Sequence, residues 1–82
     1  MIAVLFFGRM ADVAGHRRID IMPAPALDSL FGLRDRLLGE AIASGQVTEG
    51  AIHMSLNRVA RRDDAPVADG DEVAFFSIFS GG

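Results

Sequence analysis

The sequence ends on Gly81-Gly82, directly after an apolar run, and their α-carboxylate is the group best placed to do chemistry through a partner. With a pKa of roughly 3.3–3.7 that carboxylate is ionised near neutral pH and is a poor electrophile. It reacts once another enzyme activates it, for instance by attaching AMP. Glycine has no side chain and adopts backbone conformations closed to other residues, so Gly81-Gly82 read as a thin thread that a second protein can approach closely. An idle, frayed terminus is the alternative reading of the same two residues. Other reactive groups are sparse. The chain has no cysteine, which excludes disulfides, thiolate zinc sites and cysteine-ligated iron–sulfur clusters. His16 and His53 stand apart without ligand spacing and read as surface or edge residues. Ser77 and Ser80 have no base near them in sequence, so the chain reads as catalytically inert by itself.

The elements that must position the thread are bounded by length and charge. The 82 residues leave room for one small domain, 1–82, and no second. Half the residues are hydrophobic, enough for a core, although a domain of this size buries only ~60–65% of its unfolded surface. The net charge is −3, from eight arginines and eleven acids with no lysine. Only Arg17-Arg18 and Arg61-Arg62 are adjacent, with acids close behind each pair, so there is no basic stripe and nucleic acid is excluded as an expected partner. Without lysine, the chain cannot be extended ubiquitin-fashion through its own side chains. Neither a signal peptide nor an apolar run of ~18–20 residues is visible, and the expected compartment is the cytoplasm.

Residues 2–7 are β-branched and aromatic and read as a buried strand closed by Gly8. Residues 11–15 read as a turn or short helical bend. Residues 17–22 alternate, with Ile19 and Ile21 on one side, and predict a second strand antiparallel to the first; Pro23 and Pro25 stop it. Residues 26–40 form the convincing helix, with Leu27, Leu30, Leu33 and Leu37 at helical spacing supported by Phe31 and Leu38. Pro25 fits the helix start, Asp28 in the first turn complements the dipole, and Gly39 or Gly45 ends it. Residues 41–50 read as helix tail plus loop. Residues 51–57 alternate as a strand, Asn57-Arg58 turns, and Val59-Ala60 is a short strand. Asp69-Gly70-Asp71 is a strong turn signal, followed by a last strand over 72–79.

The order β-β-α-β-(short β)-β, with apolar first and last strands paired in parallel at the centre, predicts an α+β chain of β-grasp, ubiquitin-like architecture. A mixed sheet of four to five strands would carry one main helix on one face. Alternation along the strands puts Leu5 and Phe7 with Phe76 and Ile78 on the face away from the helix. Either residues 41–50 or a loop fold over that face, or it is an apolar docking platform beside the exit of the thread.

Residues Met1-Ile2-Ala3-Val4-Leu5-Phe6-Phe7, the Leu-rich helix, Asn57, Asp69-Gly70-Asp71-Glu72-Val73-Ala74-Phe75-Phe76 and the Gly81-Gly82 end together resemble the small subunit of molybdopterin synthase. This MoaD family comprises ubiquitin-like sulfur carriers, and the resemblance spans essentially the whole chain. It implies that an E1-like, MoeB-like adenylyltransferase uses MgATP to convert the terminal glycine to an acyl adenylate. Sulfur from a persulfide donor then displaces AMP to leave a thiocarboxylate. The tail enters the large, MoaE-like synthase subunit, in a heterotetramer, and donates sulfur to a cyclic pyranopterin precursor. The resemblance makes Gly82 the sulfur-bearing residue and Gly81 its narrow approach, with no cofactor held by the chain itself. Phe7 and Phe76 match family positions for apolar partner contacts, as does Ala60, where the family usually has a larger residue. With Leu5, Ile78, Phe79 and Ser80 they make up the expected partner-binding set. One departure is plain. Where the family has Pro-Pro-Val-x before Gly-Gly, this chain has Ser77-Ile78-Phe79-Ser80, which lacks the stiff polyproline approach. A carrier for thiamine or cysteine synthesis, an interaction module with an idle end, and a lysine-conjugated modifier are the alternatives.

Overall fold

The computed structural model describes residues 1–77. Its strands are β1 (Ile2–Phe6), β2 (Arg18–Ile21), β3 (His53–Leu56), β4 (Val59–Arg61) and β5 (Glu72–Phe76), and its α-helices are α1 (Arg9–Ala14) and α2 (Leu30–Ala43). The five strands form one mixed sheet in the order β2-β1-β5-β3-β4. β1 and β5 are parallel neighbours at the centre, with Val4 opposite Val73 and Phe6 opposite Phe75. β1 pairs antiparallel with β2, and β3 pairs antiparallel with both β5 and β4. This is the β-grasp, ubiquitin-like fold, with α2 laid across one face.

That face carries the core. Ile2, Val4, Val73 and Phe75 are fully buried there, and the Phe6 and Phe75 rings stack at 5.8 Å between centroids. From α2, Leu30, Leu33 and Leu38 close over them. Burying an aliphatic or aromatic side chain of this size contributes about 1.5–3 kcal/mol, so the apolar alternation in β1 and β5 and the leucine spacing of α2 specify one another. α1 replaces the expected bend at 11–15 with a short helix ended by left-handed Gly15. It adds the fully buried Met10.

The main helix starts later than its apolar pattern implies. Pro25–Leu27 is a separate 3₁₀ turn and Ser29 is the cap, so Asp28 lies outside the helix and not in its first turn. Each leading N–H finds an acceptor: Leu30 donates to the Ala65 carbonyl at 3.0 Å, Phe31 to Asp64 Oδ1 at 2.8 Å, and Gly32 to Ser29 Oγ at 3.0 Å. Satisfying these otherwise orphaned donors ties the 64–66 loop to the helix. Gly32 serves that junction as well, because a Cβ there would stand 2.6 Å from the Ala26 carbonyl oxygen. At the other end α2 runs on to Ala43. Gly45, with a positive φ, donates to Ile42 and Gln46 donates to Ala41. This 6→1, 5→2 pair is a Schellman ending, which settles the choice between Gly39 and Gly45. Val47 is buried in the core and Glu49 pairs with Arg34 of α2 at 2.8 Å. The 41–50 segment therefore packs on the helix side of the sheet and not over its open face.

Candidate functional site

The open face is read directly from the strand register. Leu5 lies opposite Ala74, Ala74 opposite Ser55, and Ser55 opposite Ala60. These four positions thus form a row across the sheet, since paired residues point the same way. One step further along, Phe76 lies opposite His53, and their rings stack at 5.9 Å with 28° between planes. Phe7 extends β1 by one ladder bond, its N–H donating to the Phe75 carbonyl at 3.0 Å, and it is 52% exposed. The structure therefore brings Leu5, Phe7, Ala60 and Phe76 onto one face. The apolar surface is smaller than alternation alone suggests, however: Leu5 and Phe76 are half-buried by their neighbours and Ala74 between them is buried. Ile78, Phe79, Ser80, Gly81 and Gly82 lie outside the described residues.

The face ends at Phe76, the last residue of β5. Beside that point is a cleft of about 420 Å3 bounded by His53, Met54, Ala60, Arg61, Arg62 and Phe76. A neighbouring cleft of about 370 Å3 continues past Arg61 and Arg62 to Phe31, Arg34 and Glu49. Arg34 is only 8% exposed. Its guanidinium lies 4.3 Å from the centre of the Phe31 ring and pairs with Glu49 at 2.8 Å and Asp35 at 3.0 Å. The sequence reading passed over this residue, although it lies four residues from Leu30 and on the leucine stripe. That spacing marks a charge that must be buried with partners.

The opposite end of β5 is built for rigidity. Asn57 and Arg58 both adopt positive φ, 50° and 69°, in the two-residue turn from β3 to β4, the geometry such a hairpin needs. Asn57 then clasps the start of β5. Its Nδ2 donates to Asp71 Oδ1 at 3.0 Å, its Oδ1 accepts from the Glu72 N–H at 2.9 Å, and its own N–H donates to the Glu72 carbonyl at 2.7 Å. The other Asp71 oxygen accepts from the Ala68 N–H at 2.8 Å across the Gly70 turn. The Asn57 amide first, and the Ala68 N–H second, hold the Asp71 carboxyl below the usual carboxylate range, with burial opposing them weakly. Asn57 and the Asp69-Gly70-Asp71 turn are thus one structural unit that sets the register of the strand leading to the tail.

Nothing in this geometry forms a catalytic constellation. Among the described residues no group of three or more His, Cys, Asp or Glu side chains could hold a metal ion, and no helix is long and apolar enough to cross a membrane. What the site offers is a firmly registered central strand, an apolar face beside its last residue, and an arginine-bearing edge.

Solved structures share this arrangement. The crystal structure of SAMP1 from Haloferax volcanii is 26% identical, with 99% of this chain and 98% of that chain covered and a TM-score of 0.73. The solution structure of Urm1 from Trypanosoma brucei, 24% identical, covers 99% of this chain and 94% of that one with a TM-score of 0.69, a likeness of fold. No curated protein sequence matches the chain. The ThiS family does match, over residues 4–82, a span that takes in the second half of β1, the Asn57 clasp, the open face and Gly81-Gly82: this chain belongs to the ThiS family of ubiquitin-like sulfur carriers.

Proposed function

We propose that the chain carries sulfur on the carboxyl carbon of Gly82. In an E1-like adenylyltransferase, the Gly82 carboxylate attacks the α-phosphorus of MgATP and pyrophosphate leaves. The terminal sulfur of a donor persulfide then attacks the acyl carbon and AMP departs with one carboxylate oxygen, leaving an acyl disulfide. A second thiol of the donor system attacks the donor sulfur, forms a disulfide with it and releases the thiocarboxylate. MgATP is a substrate of the activating enzyme in this scheme. The observation that carries the reading is the family match, which runs through Gly82. Supporting it is the sheet face with Leu5, Phe7, Ala60 and Phe76, which supplies affinity that a two-glycine thread lacks. Ile78, Phe79 and Ser80, which stand between that face and Gly81-Gly82 in the sequence, complete the proposed partner-contact set.

For the recipient of the sulfur, the leading reading is a pyranopterin precursor held by the large subunit of molybdopterin synthase. This chain would be the small subunit of the heterotetramer. The Asp69–Phe76 run and the Gly81-Gly82 end support it. A second reading is favoured by the Ser77-Ile78-Phe79-Ser80 approach and by the likeness to a protein named a small archaeal modifier. In that reading the activated Gly82 serves another sulfur pathway, or is joined to lysines of target proteins.

Intact-mass spectrometry after incubation with the activating enzyme, ATP and a sulfur donor tests the common chemistry. The expected gain is about 16 Da, the exchange of one oxygen for sulfur that a thiocarboxylate requires. Deleting Gly82 should abolish the gain. No gain with an enzyme that thiolates another carrier sinks the proposal. Dithiolene formation with the synthase large subunit supports the first recipient, and a Gly-Gly remnant on target lysines supports conjugation.

A further inference from the structure

The sheet has two edges, and they are finished differently. On β2, Arg18 pairs with Asp20 at 3.0 Å along the strand, and Pro23 follows shortly after. Such a self-neutralised, proline-limited edge resists pairing with other chains. On β4 all three residues, Val59, Ala60 and Arg61, are exposed, and among the described residues only the β3 side is paired. The two-residue turn makes Leu56 opposite Val59 the first pair of the ladder and Ser55 opposite Ala60 the second. By the alternation of an antiparallel ladder, the Ala60 N–H and carbonyl then point outward, away from β3.

Two adjacent arginines, Arg61 and Arg62, stand exposed on this edge. Arg61 and Arg62 have no acidic partner among the described residues, and Arg58 reaches Glu72 only at 3.5 Å. Of the two acids that follow, Asp63 is exposed, and Asp64 accepts from the Phe31 and Ala65 N–H groups. The Arg61 and Arg62 guanidinium groups therefore face solvent, with Arg58 beside them on Glu72, in a chain whose net charge is −3. Beneath them the cleft bounded by His53, Met54, Ala60 and Phe76 gives an apolar floor for alternate side chains of an added strand.

Position ties the edge to the tail. Arg61 is level with Met54, and Met54 with Phe75, so β4 ends one residue short of the level of Phe76, with Arg62 next in the chain. β4 and β5 run in the same direction and are separated by one strand, which places the arginines about 10 Å from the last residue of β5 at normal strand spacing.

We propose that the β4 edge is a second docking surface, which takes an extended acidic segment of the activating enzyme as an added strand. Main-chain bonds to Ala60 and ion pairs to Arg58, Arg61 and Arg62 hold the segment. Strand addition of this kind draws affinity from backbone bonds and selectivity from the side chains flanking them. The surface adjoins the Leu5, Phe7 and Phe76 face and shares Ala60 and Phe76 with it, and it differs in offering an unpaired strand edge and the arginines. The inference rests on the reading that Gly82 is adenylated, because that reaction supplies the partner.

ATP–pyrophosphate exchange by the activating enzyme, measured against the concentration of full-length carrier, separates the two. The double reversal Arg61→Glu/Arg62→Glu should raise the half-saturating carrier concentration at least about tenfold, with the maximal rate changed less than about twofold. The gap should close at an ionic strength on the order of 1 M, where the Debye length is about 3 Å. Ala60→Pro removes an outward N–H and keeps the charges. It should raise half-saturation by about threefold or more, on the order of one lost backbone bond, and this shift should persist in salt. Circular dichroism and melting of each variant report whether it folds, and the reversal lies on an exposed edge where folding is least at risk. Exchange with wild type but unchanged half-saturation for the double reversal overturns the inference and leaves the adenylation reading standing. Absence of exchange with wild type overturns both. A wild-type dimer in sedimentation that the double reversal alters would assign the edge to a second copy of the chain and overturn the named partner.

Discussion

On the α2 side of the sheet, Ile2, Val4, Val73 and Phe75 are fully buried. On the opposite side Leu5 and Phe76 are half-buried and Phe7 is exposed. The same five-residue strands supply both sets, and the residues involved are chemically alike. The difference comes from coverage: one 14-residue helix can shield one face of five strands and no more. Apolar residues on the shielded face act on stability, and those on the other face are available to a partner. β1 and β5 read as near-continuous apolar runs because both sides of each strand have a use.

Substitutions across adjacent positions of β5 are the strongest way to break that comparison. Phe75→Ala should cost about 3–5 kcal/mol, the usual price for an aromatic removed from a closed core, read by urea or thermal unfolding. If its cost is no greater than that of Phe76→Ala, the assignment of faces is wrong. Gly32→Ala should come next. In an ordinary helix this change gains about 1 kcal/mol, but here the new methyl meets the Ala26 carbonyl oxygen at 2.6 Å. A loss of about 1–3 kcal/mol is expected, and a gain in melting temperature would show that the Pro25–Leu27 turn yields freely.

Asn57→Ala should cost about 1–2 kcal/mol, because it removes two side-chain hydrogen bonds and leaves a non-glycine residue at positive φ. Asn57→Gly separates these effects by restoring the backbone and not the bonds. The partner residue gives this a pH signature. Asp71 is held below its ordinary pKa in the folded chain, so its contribution is present in full above about pH 5. It fades as pH falls through the unfolded value near 3.9 and on past the lower folded one. The stability gap between wild type and Asp71→Asn should therefore narrow on acidification, and a gap that widens would contradict the clasp. The smallest effect on stability belongs to the open face. Phe7→Ala should stay within about 0.5 kcal/mol, while raising the carrier concentration needed for half-maximal adenylation. Unfolding curves and exchange kinetics on the same preparation test the two halves of that expectation.

Much of this organisation was legible in the sequence. Strand order, the single main helix and the split of Leu5, Phe7 and Phe76 from Phe6 and Phe75 all follow from period-2 and helical spacing. These depend on local geometry that each residue carries with it. Boundaries were less legible. The leucine stripe begins at Leu27, yet the helix begins at Leu30, because an apolar residue in a 3₁₀ turn can face the same core as one in the helix. The burial of Arg34 was not legible, since it depends on Glu49 and Phe31 folding beside it.

The sequence by itself determined the alternation in β1 and β5, the amphipathic helix, the turn at Asp69-Gly70-Asp71 and the Gly81-Gly82 ending, since these depend on neighbours a few residues apart. Tertiary structure alone decided how much of the open face stays exposed, that Asn57 locks onto Asp71 across 14 residues, and that Arg61 stands level with Phe75 near the end of β5. Those relations arise from strand register, which is set by the joint packing of five strands against one helix and is written in no single segment.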